Sequence, residues 1–205
     1  MSYRLTLMRR GMGIALALTL LLTTACSDRD QSAAPRATVP PATSTTTMAA
    51  PADPYAIPET IDIAYVQRVI DKLYEIDGDA TRIIAARQEL VPEAARILQA
   101  IYLPDELNRQ LKLWGDAVAQ GLEPLKDPPG NIAATITQLI VTDKSCISFR
   151  AERDFRDVLD APPAPRTNTI VLKPKAQQQD PAHINPTPFM IDEQFVNDPT
   201  AQPCP

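Results

Sequence analysis

Few side chains in this sequence have the types and spacing that chemistry requires. Asp77-Gly78-Asp79 brings two carboxylates together, which could bind a cation or exchange protons. The other ligands of a calcium loop are missing, and aspartates beside a glycine are also ordinary turn residues. His183, the one histidine, could act as a general base if Asp180 or Asp192 oriented it. Its place in a proline-containing loop favours an exposed side chain instead.

The motifs of common catalytic and cofactor sites are missing from residues 26–205. There is no G-x-S-x-G, G-x-x-x-x-G-K-[ST], G-x-G-x-x-G or H-E-x-x-H. A single histidine also excludes a multi-histidine metal site. We therefore expect no cofactor and no metal, and we assign no catalytic residue.

Aromatic residues recur in the stretch that the pattern predicts to be helical. Tyr65, Tyr74, Tyr102 and Trp114 could line a pocket, and we take Tyr65, Tyr74, Trp114 and His183 as its candidate residues. Aromatic residues at helical spacing are more often plain core. Both interpretations stay open at this point.

The first 26 residues have the order of an export signal. Arg4, Arg9 and Arg10 precede an uncharged apolar run over residues 11–25, and Cys26 follows it. As a helix the run would span about 22 Å, which is short of the ~30 Å hydrocarbon core of a bilayer. We expect cleavage, with an uncleaved anchor as an alternative. Arg9-Arg10 resembles the start of a twin-arginine signal, but Gly11-Met12-Gly13 does not continue that motif, so we assign the pair to the positive n-region.

The stretch Leu22-Thr23-Thr24-Ala25-Cys26 resembles the lipobox of bacterial lipoproteins, in which lipoprotein signal peptidase cuts before a lipidated cysteine. The resemblance implies a signal peptide over residues 1–25 and acylation of Cys26, with palmitate among the acyl chains. It also implies a lipid-anchored position on the extracytoplasmic face of the cell membrane. A plain secretory signal with an incidental cysteine is the alternative.

Charge limits the partners of the chain. Removal of residues 1–25, which contain three arginines and no acidic residue, changes the net charge from −5 to −8. An acidic chain is a poor ligand for nucleic acid and for anionic lipid surfaces. Membrane attachment would then come from the lipid on Cys26, and more than one acyl chain makes such an anchor stable.

Cys146 and Cys204 are the two cysteines beyond Cys26. Outside the inner membrane the redox conditions permit a disulfide, so we expect these two to pair. The alternative is one buried thiol and one thiol in a frayed tail.

Composition divides the rest of the chain. Residues 26–58, rich in Ala, Pro, Ser and Thr, contain too little apolar surface to fold, which predicts a disordered tether. Residues 59–205 form the predicted globular domain, which ends in a proline-rich tail.

Apolar periodicity predicts four helices in the first part of the domain. The first runs from Thr60, which can cap it, to a stop at Gly78. A second covers residues 79–90, a third begins at Pro92 and ends near Tyr102, and a fourth begins at Pro104. The second and third could form one bent unit.

Alternation with a period of two then predicts strands. Residues 135–142 and 147–152 form a hairpin around Asp143-Lys144, and residues 168–173 and 187–196 supply two more strands. Helices followed by strands predict an α+β fold in which N-terminal helices pack on a mostly antiparallel curved sheet.

The order of elements over about residues 59–196, with Tyr65-Val66 through Asp77-Gly78-Asp79 in the first helical unit, resembles the nuclear transport factor 2-like cone fold. That fold includes ketosteroid isomerases, SnoaL-like cyclases and periplasmic assembly domains of secretion systems. Asn185-Pro186-Thr187-Pro188-Phe189-Met190-Ile191 is similar to a stretch in uncharacterised actinobacterial lipoproteins. The resemblance implies a cone-like domain with a pocket between helices and sheet, and it carries over no catalytic residue.

The sequence thus favours a non-enzymatic binding or assembly module of the cell envelope, with an envelope protein as partner. The alternative is a small-ligand-binding protein or a SnoaL-like enzyme that uses the interior of the cone. A third hypothesis is that the protein only spaces or decorates the cell wall.

We expect Cys26→Ser to prevent acylation and release the protein from membranes, because the lipid is the only predicted anchor. Mass spectrometry and sedimentation of the membrane fraction measure both effects. An unchanged mass and unchanged sedimentation would contradict the lipoprotein assignment.

Overall fold

The structure is a computed structural model, and it describes residues 53–122, 125–196 and 204. The predicted signal peptide, Cys26 and most of the predicted tether lie outside these residues. The described chain forms three helices followed by four strands: α1 (Ile63–Arg87), α2 (Pro92–Ile101), α3 (Pro104–Ala119), β1 (Ala133–Asp143), β2 (Cys146–Asp154), β3 (Arg166–Pro174) and β4 (Phe189–Val196). A short 3-10 turn, Gln177–Gln179, precedes β4.

The prediction that the first helix stops at Gly78 is wrong. α1 is 25 residues long and continues past Gly78 to Arg87. It therefore replaces the two helices predicted over residues 60–90. Gly78 is buried inside this helix, and a Cβ atom there would lie 2.0 Å from the side-chain oxygen of Asn131. The glycine therefore permits a close approach to the loop before β1 and does not end the helix.

The start of α1 also differs from the prediction. Asp62, and not Thr60, is the N-cap: its carboxylate accepts a hydrogen bond of 2.7 Å from the backbone N–H of Tyr65. A carboxylate satisfies one of the free N–H groups of the first turn and also interacts favourably with the helix dipole.

The predicted starts of the next two helices are confirmed. Pro92 begins α2 and Pro104 begins α3, in each case at the first helical position. A proline fits there because its missing N–H group would have no partner within the helix. The bent unit suggested for the second and third predicted helices does not form, since a break at residues 88–91 separates α1 from α2.

The four strands form one antiparallel curled sheet in the order β1-β2-β3-β4. The predicted α+β class and the hairpin around Asp143-Lys144 are confirmed. Alternate residues of the strands face the helices and belong to the core: Ile147, Phe149, Ala151, Ile170, Leu172, Phe189 and Ile191. We call this side of the sheet its helix face.

A register shift changes the alternation in β4. Val171 pairs with Glu193 while Leu172 pairs with Ile191, so Asp192 is an extra residue between the two pairs. Gln194 is consequently buried and its side chain forms hydrogen bonds to groups on the helices.

The side chain of Gln67 in α1 covers part of the edge strand β1. Its amide NH₂ donates to the carbonyl oxygen of Ala134 at 2.7 Å, and its amide oxygen accepts from the N–H of Ile136 at 3.1 Å. These are the two bonds that a neighbouring strand would otherwise form.

The segment before α1 also contacts the domain. Tyr55 and Ile57, which lie in the predicted tether, pack against the core, and the hydroxyl of Tyr65 donates to the carbonyl oxygen of Tyr55 at 3.1 Å.

Within the described residues, no helix has the length and apolar character needed to cross a membrane.

The sulfur atoms of Cys146 and Cys204 lie 1.99 Å apart, at bonding distance for a disulfide. The bond joins the start of β2 to the C-terminal end of the chain across a sequence separation of 58 residues. Closing a loop of this length removes entropy from the unfolded chain.

We expect Cys204→Ser to lower the free energy of unfolding by about 4 kcal/mol, because the unfolded chain regains the entropy of the open loop. Denaturant titration of the oxidised protein measures the change. Reductant should destabilise the wild type by a similar amount and leave the variant unaffected. Equal sensitivity of both proteins to reductant would contradict the assignment.

Candidate functional site

A cavity of about 230 Å³ lies between α1, α3 and the sheet. Most of its lining is apolar and comes from α3 and from the loops on either side of β1 and β2: Leu113, Trp114, Ala117, Leu122, Leu125, Ile132, Phe155, Val158 and Leu159. Five further residues bring polar groups to it, namely Asp77, Thr81, Tyr102, Gln110 and Arg153. An apolar cavity with a few converging polar groups is the usual form of a small-molecule site.

Asp77 and Tyr102 form the polar end of this cavity. The hydroxyl of Tyr102 donates to Oδ1 of Asp77 at 3.0 Å, and both residues are buried. Burial raises the pKa of Asp77 to about 6, against the opposing effects of the Tyr102 hydrogen bond and the positive charge of Arg153. Desolvation likewise raises the pKa of the Tyr102 phenol well above its usual value.

A second buried polar group adjoins the cavity. The hydroxyl of Tyr74 donates to Oε1 of Gln194 at 3.3 Å, and the amide of Gln194 donates to Glu106 at 3.0 Å. Glu106 also accepts from Arg109 at 2.6 and 2.8 Å and from Gln110 at 2.7 Å. This network fixes Gln110, which lines the cavity, in one orientation.

The guanidinium of Arg153 lies between two aromatic rings at the sheet side of the cavity. Its central carbon is 5.3 Å from the ring centre of Tyr74 and 4.9 Å from that of Phe155, distances at which cation–π attraction operates. Its Nε atom is buried and has no hydrogen-bond partner among the described residues. A buried donor without an acceptor is costly, so this nitrogen destabilises the fold unless the rest of the guanidinium group compensates.

The candidate pocket residues named from the sequence only partly come together. Trp114 lines the cavity, as does Tyr102. Tyr74 is fully buried beside the cavity, whereas Tyr65 packs in the core and bonds to Tyr55. His183 is exposed in the loop before β4, with a positive φ of 53°, and does not line the cavity.

The two carboxylates of Asp77-Gly78-Asp79 point in different directions. Asp77 enters the cavity, while Asp79 is exposed and pairs with Arg82 at 2.6 Å. They lie within a helix and form no joint cation site. Among the residues that the structure describes, no group of three or more potential ligands could hold a metal ion.

The sequence places both Asp77 and Arg153 on an apolar face, but neither was predicted as a site residue. Asp77 follows Leu73 by four residues and therefore lies on the apolar stripe of α1. Arg153 continues the alternation of Phe149 and Ala151 and therefore lies on the helix face of β2. A charged residue on an apolar face is the pattern to look for.

A larger surface cavity of about 400 Å³ lies at the other end of α3, near Asp105, Arg109 and Lys173. Both of its basic groups are already paired: Lys173 lies 2.7 Å from Asp192, and Arg109 lies 2.6 Å from Glu106. The first cavity is therefore the better candidate site.

Comparisons with known proteins add no assignment, since the chain matches no protein-family model, no curated protein and no solved structure. The nuclear transport factor 2-like resemblance thus stays a prediction. What can be said of the site follows from its geometry.

We expect Asp77→Asn to remove a pH dependence of stability. The carboxyl group titrates at 3.8 in the unfolded chain and at about 6 in the folded protein, so folding favours its protonated form. That contribution is complete below pH 3.8 and is lost as the pH rises through about 6. An asparagine keeps the acceptor for Tyr102 but carries no charge.

The variant should therefore gain about 2 kcal/mol in unfolding free energy relative to the wild type between pH 4 and pH 7. Denaturant titrations across this range measure it. Asp79→Asn is the matched control, because Asp79 is exposed on the same helix, and it should follow the wild type. If the unfolding free energies of Asp77→Asn and the wild type changed in parallel with pH, the raised pKa of Asp77 would be wrong.

Proposed function

We propose that this chain is an extracytoplasmic lipoprotein with a nuclear transport factor 2-like domain that binds a small, largely apolar ligand. The observation that carries the proposal is the apolar cavity with Asp77 and Tyr102 at its polar end. The lipobox resemblance at Cys26 supports the location, and the curled sheet covered by helices agrees with a cone-like domain.

The physical basis for binding is the lining of the cavity. Water inside it would face mainly Trp114, Leu125, Phe155 and similar side chains, which offer few hydrogen bonds. A ligand that replaces this water gains about 25 cal/mol for each Å² of apolar surface buried. The hydrogen-bonded carboxyl of Asp77 then favours one orientation of the ligand.

The size of the cavity limits the ligand. Its volume of about 230 Å³ is below the range of roughly 300–1,000 Å³ that holds drug-sized molecules. We therefore propose a compact ligand with one polar end, and not a large steroid-like or polyketide-like molecule.

We further propose that an envelope protein is a partner of the domain. Leu113 on α3 lines the cavity and is 59% exposed, so apolar surface is present beside the site. Cross-linking in intact cells, followed by purification of the protein, would recover such a partner. Recovery of no envelope protein would count against it.

A second candidate function is proton transfer on the bound ligand, as in a SnoaL-like enzyme. The observation that favours it is the raised pKa of Asp77, about 6, beside an apolar cavity. A carboxyl group with such a pKa can both take up and release a proton near neutral pH. Its test is exchange of ligand C–H protons in deuterated buffer, which Asp77→Asn should abolish.

We expect Ala117→Phe to fill the cavity and weaken ligand binding by at least about tenfold, while costing roughly 1–3 kcal/mol of stability. Octan-1-ol is a suitable probe. Trp114 is the only tryptophan of the chain and lines the cavity, so its fluorescence reports occupancy. Saturable binding to the wild type is the expected result.

The matched control is Ala119→Phe, which places the same side chain at an exposed position of α3. It should bind octan-1-ol as the wild type does. If both variants bind equally well, or if no saturable signal occurs in any protein, the cavity is not a ligand site.

A further inference from the structure

Two arginines lie directly opposite each other at one end of the sheet. Arg153 of β2 and Arg166 of β3 are register partners, and paired residues of antiparallel strands point to the same face. That face is the helix face, because Arg153 alternates with core residues Phe149 and Ala151. Like charges directly opposite each other destabilise a sheet, so this pair needs an explanation.

Neither arginine forms an ion pair with any residue that the structure describes. Arg153 stacks between Tyr74 and Phe155 and attracts Asp77 over a longer distance, and its buried Nε has no acceptor. Arg166 is exposed and has no described partner. The chain has 25 acidic residues against 20 basic ones, so acidic partners are not scarce.

The two arginines line a cavity of their own. It has a volume of about 210 Å³, and Asn168 of β3, which is 3% exposed, supplies a buried amide to it. Three residues border both this cavity and the apolar one described above: Arg153, Phe155 and Leu159. A positively charged compartment and an apolar compartment are therefore neighbours on the same side of the sheet.

We infer that the ligand is an amphiphilic anion, whose carboxylate or phosphate head lies between Arg153 and Arg166 while its apolar body occupies the cavity beside Trp114. This inference rests on the proposed function and names the class of its ligand. The planar guanidinium group presents parallel N–H donors that match both kinds of head.

An anionic head would neutralise the repulsion between the two guanidinium groups, which both border the same cavity. The buried Asn168 amide adds a neutral donor at the same place. A neutral ligand of equal size would gain only the apolar part of the binding energy.

The test compares three probes of equal chain length on the full-length protein: octanoate, octyl phosphate and octan-1-ol. Trp114 fluorescence and calorimetry give the dissociation constants at pH 7.5. We expect at least one of the two anions to bind about tenfold or more tightly than octan-1-ol. The preferred anion distinguishes a carboxylate from a phosphate head.

Arg166→Gln should abolish this preference and leave the affinity for octan-1-ol unchanged, because Arg166 borders the charged cavity and not the apolar one. The matched control is Arg150→Gln, which removes the same charge from the other face of β2, where Arg150 bonds to Gln138. The control should keep the full preference for the anion.

Two outcomes would overturn the inference without affecting the proposed function. One is equal affinity for octan-1-ol and both anions. The other is an equal effect of Arg166→Gln and Arg150→Gln, which would show only a general charge effect. Failure of all three probes to bind would instead overturn the proposed function itself.

Discussion

The architecture depends on covering the helix face of a single curled sheet, and α1 does most of this. Tyr65, Val69, Leu73 and Ile76 are buried along one side of a helix that the chain keeps unbroken for 25 residues. Gly78 allows the helix to pass close to the loop before β1. Because the helix is unbroken there, the residue before this glycine, Asp77, is carried into the interior.

A domain selected for stability alone would not place so many polar groups in this position. Asp77, which is 4% exposed, and Arg153, which has a buried nitrogen without an acceptor, both line the apolar cavity. Removing charged groups from water costs several kcal/mol per ion, which hydrogen bonds repay only in part. Packed apolar side chains in their place would often be neutral or stabilising. The cost is understandable if these groups meet a ligand.

The sequence was informative wherever the signal is local. Prolines marked the starts of α2 and α3, and alternation with an Asp143-Lys144 turn located the β1–β2 hairpin. At Gly78 the sequence predicted a helix end that does not exist. A glycine that ends a helix cannot be distinguished in the sequence from one that permits a close contact, here with Asn131. The disulfide partners followed from their number alone.

The site was less predictable for a physical reason. Asp77, Tyr102, Trp114 and Arg153 come from separate elements, and only the packing of helices on the sheet brings them together. Aromatic type and helical spacing identified Trp114 and Tyr102 but could not separate them from Tyr65, which is core. The pairing of Arg153 with Arg166 depends on where β3 begins. It could not be predicted, because boundaries are the least certain part of any strand prediction.

The bonds between Gln67 and β1 have a consequence for how molecules of this protein meet each other. An open sheet has unpaired peptide groups along its outermost strands, and these can recruit the same strand of another molecule into a growing fibre. The Gln67 amide already bonds to the carbonyl oxygen of Ala134 and the N–H of Ile136, near the start of β1. The two register shifts later in β1 make the rest of this strand an irregular template for pairing. Self-association by strand addition is therefore disfavoured at this edge by one side chain and two irregularities, without any charged residue in the middle of the strand.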